Sequence, residues 1–175
     1  MVRYFLVSGI VLWMVLLAGP VGAGGPAQAM LRGPDGQVVG TAIFLESGEG
    51  VTIVIGARGL EPGYHGLHIH EAGSCEPPGF KSAGGHFNPY GREHGRLNSG
   101  GPHAGDLPNL LVDPRGVAAT IVDAPLVTMD GGKNSLLRKG GTALIIHAGP
   151  DDHRSQPTGS SGGRDACGVI RPLTR

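Results

Sequence analysis

The sequence predicts an all-β domain, and three observations carry that expectation. Glycine and proline are frequent, 33 and 14 of 175 residues, while aromatic residues make up only 5%. That composition suits many short strands joined by tight turns better than a helical bundle. Strand-like runs with alternating polarity recur between turn signals along most of the chain. The length is enough for one domain with a full hydrophobic core, and nothing in the organisation asks for two. The formal charge is zero and there is no basic stretch, so nucleic acid is excluded as a partner.

The first 23 residues read as a targeting segment. Arg3 supplies a positive start and Tyr4 to Ala18 an apolar stretch of signal-peptide length, so residues 1–23 are set apart from the domain at 24–175. Two small-residue cleavage sites compete, one after Ala23 and one after Ala29; the second would trim a strand that starts near Met30, which favours the first. The alternative is an uncleaved membrane anchor, although the apolar run is shorter than the roughly 20 residues a spanning helix needs. Membrane attachment is expected only in that case. The expectation is an exported protein, periplasmic or extracellular.

After the turn Gly33-Pro34-Asp35-Gly36, strands are expected at Val38 to Leu45, Val51 to Ile55 and Gly66 to His70. Val51, Ile53 and Ile55 fall on one face, with Thr52 and Val54 on the other. Later candidates are Leu107 to Val112, Val117 to Val122, Ala143 to His147 and Gly168 to Ile170. Between His70 and Leu107 lies a stretch rich in Gly, Pro, Asn and Ser, too long for an idle connection in one domain. Export turns the two cysteines, Cys75 and Cys167, from free thiols into an expected disulfide. Closing a loop of about 90 residues would stabilise by at most roughly 4 to 5 kcal/mol on the chain-entropy model. In a reducing compartment, two buried thiols would be the preferred reading.

The long stretch needs something to hold it, and its histidines supply a candidate. Neutral imidazole is the commonest ligand for zinc and copper. His68 and His70 alternate onto one face of a strand, where one ion can take both. His-x-His alone is weak, because two polar residues on the exposed face of a strand are common. His86, His94, His103 and Asp106 strengthen it, since three nitrogens and one carboxylate oxygen make a closed tetrahedral zinc set. Zinc binding would then be the main ordering force in a loop with little apolar material. His147 ends the apolar run ALIIH, where a lone histidine is usually a satisfied edge residue; beside His68 and His70 it becomes a candidate fourth ligand.

These residues resemble the copper/zinc superoxide dismutase family. The matching segments are GYHGLHIHEAGSC (63 to 75), SAGGHFNP (82 to 89), HAGDLPNL (103 to 110), ALIIHAGPDD (143 to 152) and GGRDACGVI (162 to 170), spanning about Ala29 to Pro172 in the family's order. The resemblance implies a flattened eight-stranded antiparallel Greek-key β-barrel. It implies copper on His68, His70, His86 and His147, and zinc on His86, His94, His103 and Asp106. His86 is then an imidazolate shared by both ions. Asp151 matches a carboxylate that would orient His68 and His94, as against a plain turn residue after Pro150. Arg164 matches the arginine that attracts the anionic substrate near copper, and a Cys75 to Cys167 disulfide would pin its segment beside the metal loop. His65 matches a structural position, and His153 is left as structural or solvated.

The activity implied is the conversion of superoxide anions to dioxygen and hydrogen peroxide by copper cycling between Cu(II) and Cu(I). His86 is the acid/base group and zinc keeps one oxidation state. The alternative is a non-catalytic copper or zinc binder on the same fold, which would be expected to have lost a copper ligand or Arg164. A zinc hydrolase would need an open zinc position, whereas four ligands close it. Two departures stand out. The segment from His147 to Arg164 is short and carries His153 and Arg154 where acidic residues are common in the family. The stretch from His70 to Cys75 is also short, as in secreted bacterial members. A homodimer therefore stays open, because its geometry cannot be borrowed from eukaryotic members.

Overall fold

Val51, Ile53 and Ile55 all point inward, as their alternation predicts, and the residues between them face out. The computed structural model describes residues 25–173, so the expected targeting segment at 1–23 lies outside the described residues. Ten strands follow in order: β1 (Ala27–Arg32), β2 (Val38–Ser47), β3 (Gly50–Arg58), β4 (Gly63–His65), β5 (Leu67–His70), β6 (Leu110–Val112), β7 (Val117–Ala124), β8 (Ala143–His147), β9 (Arg164–Val169) and β10 (Arg171–Pro172). The only helical turn among the described residues is a short 3₁₀ segment at Lys81–Ala83. No helix among them is long and apolar enough to cross a membrane.

All the strand ladders are antiparallel, and the main sheet runs β5-β8-β9-β1-β2-β3-β7 with β10 added to β1. β4 pairs instead with β6. Since β4 and β5 are one line of chain broken at Gly66, these two strands carry the sheet round toward β6. A turn at Asp113–Gly116, closed by Gly116 N–H to Asp113 O and Asp113 N–H to Val117 O, then leads from β6 into β7. Counted as staves, β1, β2, β3, β4/β5, β6, β7, β8 and β9 give the eight expected. Alternate residues of these strands, among them Ala29, Phe44, Ile53, Leu67, Leu110, Val122, Leu144 and Ile146, bury into one core.

The strand expected near Met30 starts earlier, at Ala27, and the short β4 and β10 were not expected; three further differences have causes visible in the packing. The strand predicted at Gly66 to His70 starts one residue later, because Gly66 sits against Ser161, where any Cβ would come within 2.8 Å of the serine Cβ. The strand predicted from Leu107 begins only at Leu110. Pro108 has no N–H to give a ladder, and the Asn109 side chain is spent on another loop. The strand expected from Gly168 is β9, which begins at Arg164, and Asp165 bulges out between the pairs His147↔Arg164 and Ile146↔Ala166.

Cys75 and Cys167 form a disulfide with their Cα atoms 5.7 Å apart. A second, smaller apolar cluster of Phe80, Ala83, Ala143, Ile145 and Cys167 lies beneath it, on the face of β8 and β9 away from the main core. The disulfide and this cluster fasten the first part of the long 71–106 loop to the sheet.

Candidate metal centre

β5 delivers His68 and His70, and its free edge is completed by the long loop. Ile69 N–H donates to Gly105 O, Phe87 N–H donates to Ile69 O, and Gly105 N–H donates to Phe87 O. These bonds set His86 opposite His70 and Asp106 opposite His68. Gly105 permits the approach, since a Cβ there would lie 2.3 Å from Ile69 O. His147 arrives from β8, next to β5 in the sheet.

The result is a buried array of imidazoles. His68, His70, His86, His94, His103 and His147 are all at most 9% exposed. One group of mutually close donors is His68, His70, His86 and His147; a second is His68, His86, His94 and Asp106. His103 is outside that second group, yet its Nδ1 is 3.3 Å from Asp106 Oδ1. Bonding resolves the overlap at His68: its Nε2 is 2.8 Å from Asp151 Oδ2, so only Nδ1 is left to serve an ion.

The remaining nitrogens are what suits the array to metal. His68 Nδ1, His70 Nε2, His86 Nε2 and His147 Nε2 are buried without a hydrogen-bond partner, as are His94 Nδ1 and His103 Nδ1. Folded proteins rarely leave buried polar atoms unpaired, and six in one place call for a cation. The opposite ring nitrogens explain the tautomers. His70 Nδ1–H donates to Gly84 O at 2.9 Å, which leaves its Nε2 as a lone pair. His68 and His94 donate through Nε2–H to the two oxygens of Asp151, at 2.8 and 3.0 Å. His86 Nδ1 and His94 Nδ1 lie 2.8 and 3.1 Å from the two oxygens of Asp106, so this carboxylate faces three Nδ1 atoms when His103 is counted.

Charge follows from this arrangement. Burial, reinforced by the neighbouring His86, pushes His70 down to about 2. Burial likewise lowers His86 to about 4 and His147 to about 3, and it lowers His68 despite the bond to Asp151. These rings stay neutral and able to ligate near neutral pH. For His94 burial opposes charge, but the carboxylates of Asp106 and Asp151 beside it outweigh burial and raise the ring to about 9. Burial would raise Asp106 and Asp151, yet the imidazoles of His103, His86 and His94 against the first and of His68 and His94 against the second hold both well below the usual carboxylate range.

Arg164 stands opposite His147 across the β8–β9 bulge. Its guanidinium donates to Phe80 O and Gly84 O, the second at 2.7 Å, in the loop that the disulfide fastens. His65 is off the array: its Nδ1 and Nε2 face the carbonyls of His147 and Glu61 at 2.6 and 2.8 Å. Of the two alternatives for His153, structural or solvated, the structure favours the first: its ring is 18% exposed and lies 3.2 Å from Asp151 Oδ2. Asn109 grips the main chain of Asp151, and only its place directly after the HAGDLP run hinted at a role.

A β-barrel carrying two adjoining donor groups that overlap at His68 and His86 defines a protein with the side chains to hold metal ions. The family model described as copper/zinc superoxide dismutase matches residues 38–170. A curated relative, superoxide dismutase [Cu-Zn] 2 of Aquifex aeolicus, is 54% identical over 147 residues, covering 83% of this chain and 86% of its own. Among solved structures, a superoxide dismutase-like protein from Bacillus subtilis, in a double mutant that replaces a tyrosine and a proline by histidine, superposes with a TM-score of 0.80. It is 46% identical and covers 81% of this chain and 95% of that one. The Cu/Zn superoxide dismutase from Brucella abortus gives a TM-score of 0.69 at 31% identity, covering 83% and 99%. The chain belongs to the copper/zinc superoxide dismutase family.

Proposed function

We propose that the chain is a superoxide dismutase, converting two superoxide anions and two protons into dioxygen and hydrogen peroxide. The observation that carries this is the set of six unpaired, buried imidazole nitrogens divided between two sites with His86 in both. His68 Nδ1 with the Nε2 atoms of His70, His86 and His147 would hold copper. Asp106 with the Nδ1 atoms of His86, His94 and His103 would hold zinc. Bound there, copper would supply one-electron redox chemistry and zinc a fixed positive charge.

His86 does the proton work. With Asp106 on its Nδ1 side and neutral by burial, it has Nε2 available to take a proton from solvent in one half of the cycle. It gives that proton to the reduced oxygen in the other half, and solvent supplies the second proton of hydrogen peroxide. Asp151 fixes the rings of His68 and His94 so that neither spends energy reorienting. Arg164 uses part of its five-donor fork on Phe80 O and Gly84 O and keeps the rest to attract an anion beside His147. All six array histidines and Arg164 are present in this chain, which favours the enzyme over a non-catalytic metal binder that would have lost one of them. Superoxide decay followed by stopped flow on protein loaded with both metals tests the reading. Decay faster than an equal amount of free copper is expected, and decay no faster contradicts it.

The same reading extends to location. Arg3 followed by the apolar Tyr4 to Ala18 run, together with the disulfide, supports export to an oxidising compartment. Ala27 and Ala29 are buried in β1, which supports removal of the leader after Ala23 and not after Ala29. Amino-terminal sequencing of the exported protein is expected to begin at Gly24; a start at Met30 would contradict that site.

A further inference from the structure

Gln156 lies on the exposed loop between His147 and Arg164, and nothing in the family motif draws attention to it. Its side-chain amide nonetheless forms a closed pair of bonds with the main chain of His94. His94 N–H donates to Gln156 Oε1 at 2.9 Å, and Gln156 Nε2 donates to His94 O at 2.9 Å. Asn109 repeats the device on the other side: Asp151 N–H donates to Asn109 Oδ1 and Asn109 Nδ2 donates to Asp151 O, both at 2.8 Å. The two gripped residues are bonded to each other through His94 Nε2 and Asp151 Oδ1. Gly159 leaves room for that bond, since a Cβ there would fall 1.7 Å from Asp151 Oδ1. Gly95 brings the same two loops together, where a Cβ would fall 2.2 Å from His153 O.

We propose that Gln156 is a positioning residue for the zinc side of the centre. It clamps the main chain of His94, as Asn109 clamps that of Asp151, so that His94 Nδ1 and the Asp151 carboxylate are aimed before an ion enters. This rests on the assignment of His94 as a zinc ligand. Asn98 Nδ2 also donates to His94 O, so removal of Gln156 chiefly strands the buried His94 N–H. The bond to the N–H is therefore the one that the test must isolate. Gln156→Glu keeps an acceptor for that N–H, loses the donor and adds a negative charge beside His94 O; Gln156→Ala loses both bonding groups without adding charge.

The experiment strips the full chain of metal and titrates it with zinc against a chromophoric chelator. Cobalt(II) is then added in place of zinc and its visible ligand-field spectrum is read. Outer contacts of this kind change metal affinity by about 10-fold or more. Gln156→Ala is expected to raise the zinc dissociation constant about 10-fold and to shift the cobalt bands, with Gln156→Glu falling between it and the unaltered protein. Ile53→Val, a core change far from the loop in sequence, serves as the control for general loss of stability. The proposal is overturned if both Gln156 variants match the unaltered protein in affinity and spectrum, or if Ile53→Val weakens zinc as much as Gln156→Ala. Should Gln156→Ala not fold, the spectrum of Gln156→Glu decides in the same way. An unaltered protein that takes up neither zinc nor cobalt would instead refute the metal assignment on which the proposal rests.

Discussion

His147 and Arg164 face each other across one bulge, yet the centre asks different things of them. His147 offers an unpaired Nε2 to the first donor group and no atom to the second. Replacing it with alanine is expected to abolish superoxide decay while zinc analysis still finds about one ion per chain; decay equal to the parent's would remove His147 from the copper set. Arg164 ligates nothing. Arg164→Ala is expected to leave both metals bound, to slow decay by about 10-fold, and to flatten the dependence of rate on ionic strength, as removal of a steering charge should. If metal content collapses instead, its bonds to Phe80 O and Gly84 O are its main contribution. Gly159→Ala would place a methyl group onto the Asp151 to His94 bond. That change is expected to weaken zinc binding while the main core stays folded, measured by chelator competition and by melting.

At the scale of elements, the loops that carry the site are short of apolar material and are held by point attachments. The disulfide is the strongest of these, tying Cys75 in the loop to Cys167 in β9 over a separation of 92 residues. Removing it by the paired change Cys75→Ser and Cys167→Ser is expected to cost at most about 4 to 5 kcal/mol on the chain-entropy model. It should also loosen Arg164, seen as slower decay in protein that still binds both metals. A melting temperature equal to that of the parent would contradict the first part. The inner face of β3 was legible in the sequence, as were the histidines that the fold gathers into the two donor groups, because period-two alternation and motif spacing are local signals. The break at Gly66, the late start of β6 and the bulge at Asp165 were not. Each is imposed by a residue distant in the chain: Ser161 on Gly66, Asp151 on Asn109, and His147 on Arg164. For the same reason the grip of Gln156 on His94, 62 positions away, had no counterpart in the local pattern.

For the whole molecule, the buried array makes stability depend on pH and on metal together. In metal-free protein, His70, His86 and His147 resist protonation down to about 2, 4 and 3, whereas in the unfolded chain they take protons at about 6.5. The unfolded state therefore binds more protons below about pH 6.5, and stability falls as pH is lowered through that range. His94 runs the other way: raised to about 9, it contributes stability that is full below about 6.5 and is lost as pH rises through 9. The metal-free protein is thus expected to melt highest near pH 6.5 and lower on both sides. With zinc bound, the ion takes the place of the His94 proton, and the alkaline decline should disappear. A melting temperature of the metal-free protein that is flat from pH 5 to 9 would contradict this balance.

The central claim is that two ions share His86, with His103 and not His68 completing the zinc set. Anomalous scattering from crystals of the loaded protein, collected at the copper and zinc edges, tests it most directly. The account predicts a copper peak among His68 Nδ1 and the Nε2 atoms of His70, His86 and His147. It predicts a zinc peak among Asp106 and the Nδ1 atoms of His86, His94 and His103. A single peak, or a zinc peak bound by His68 with His103 turned away, would contradict it.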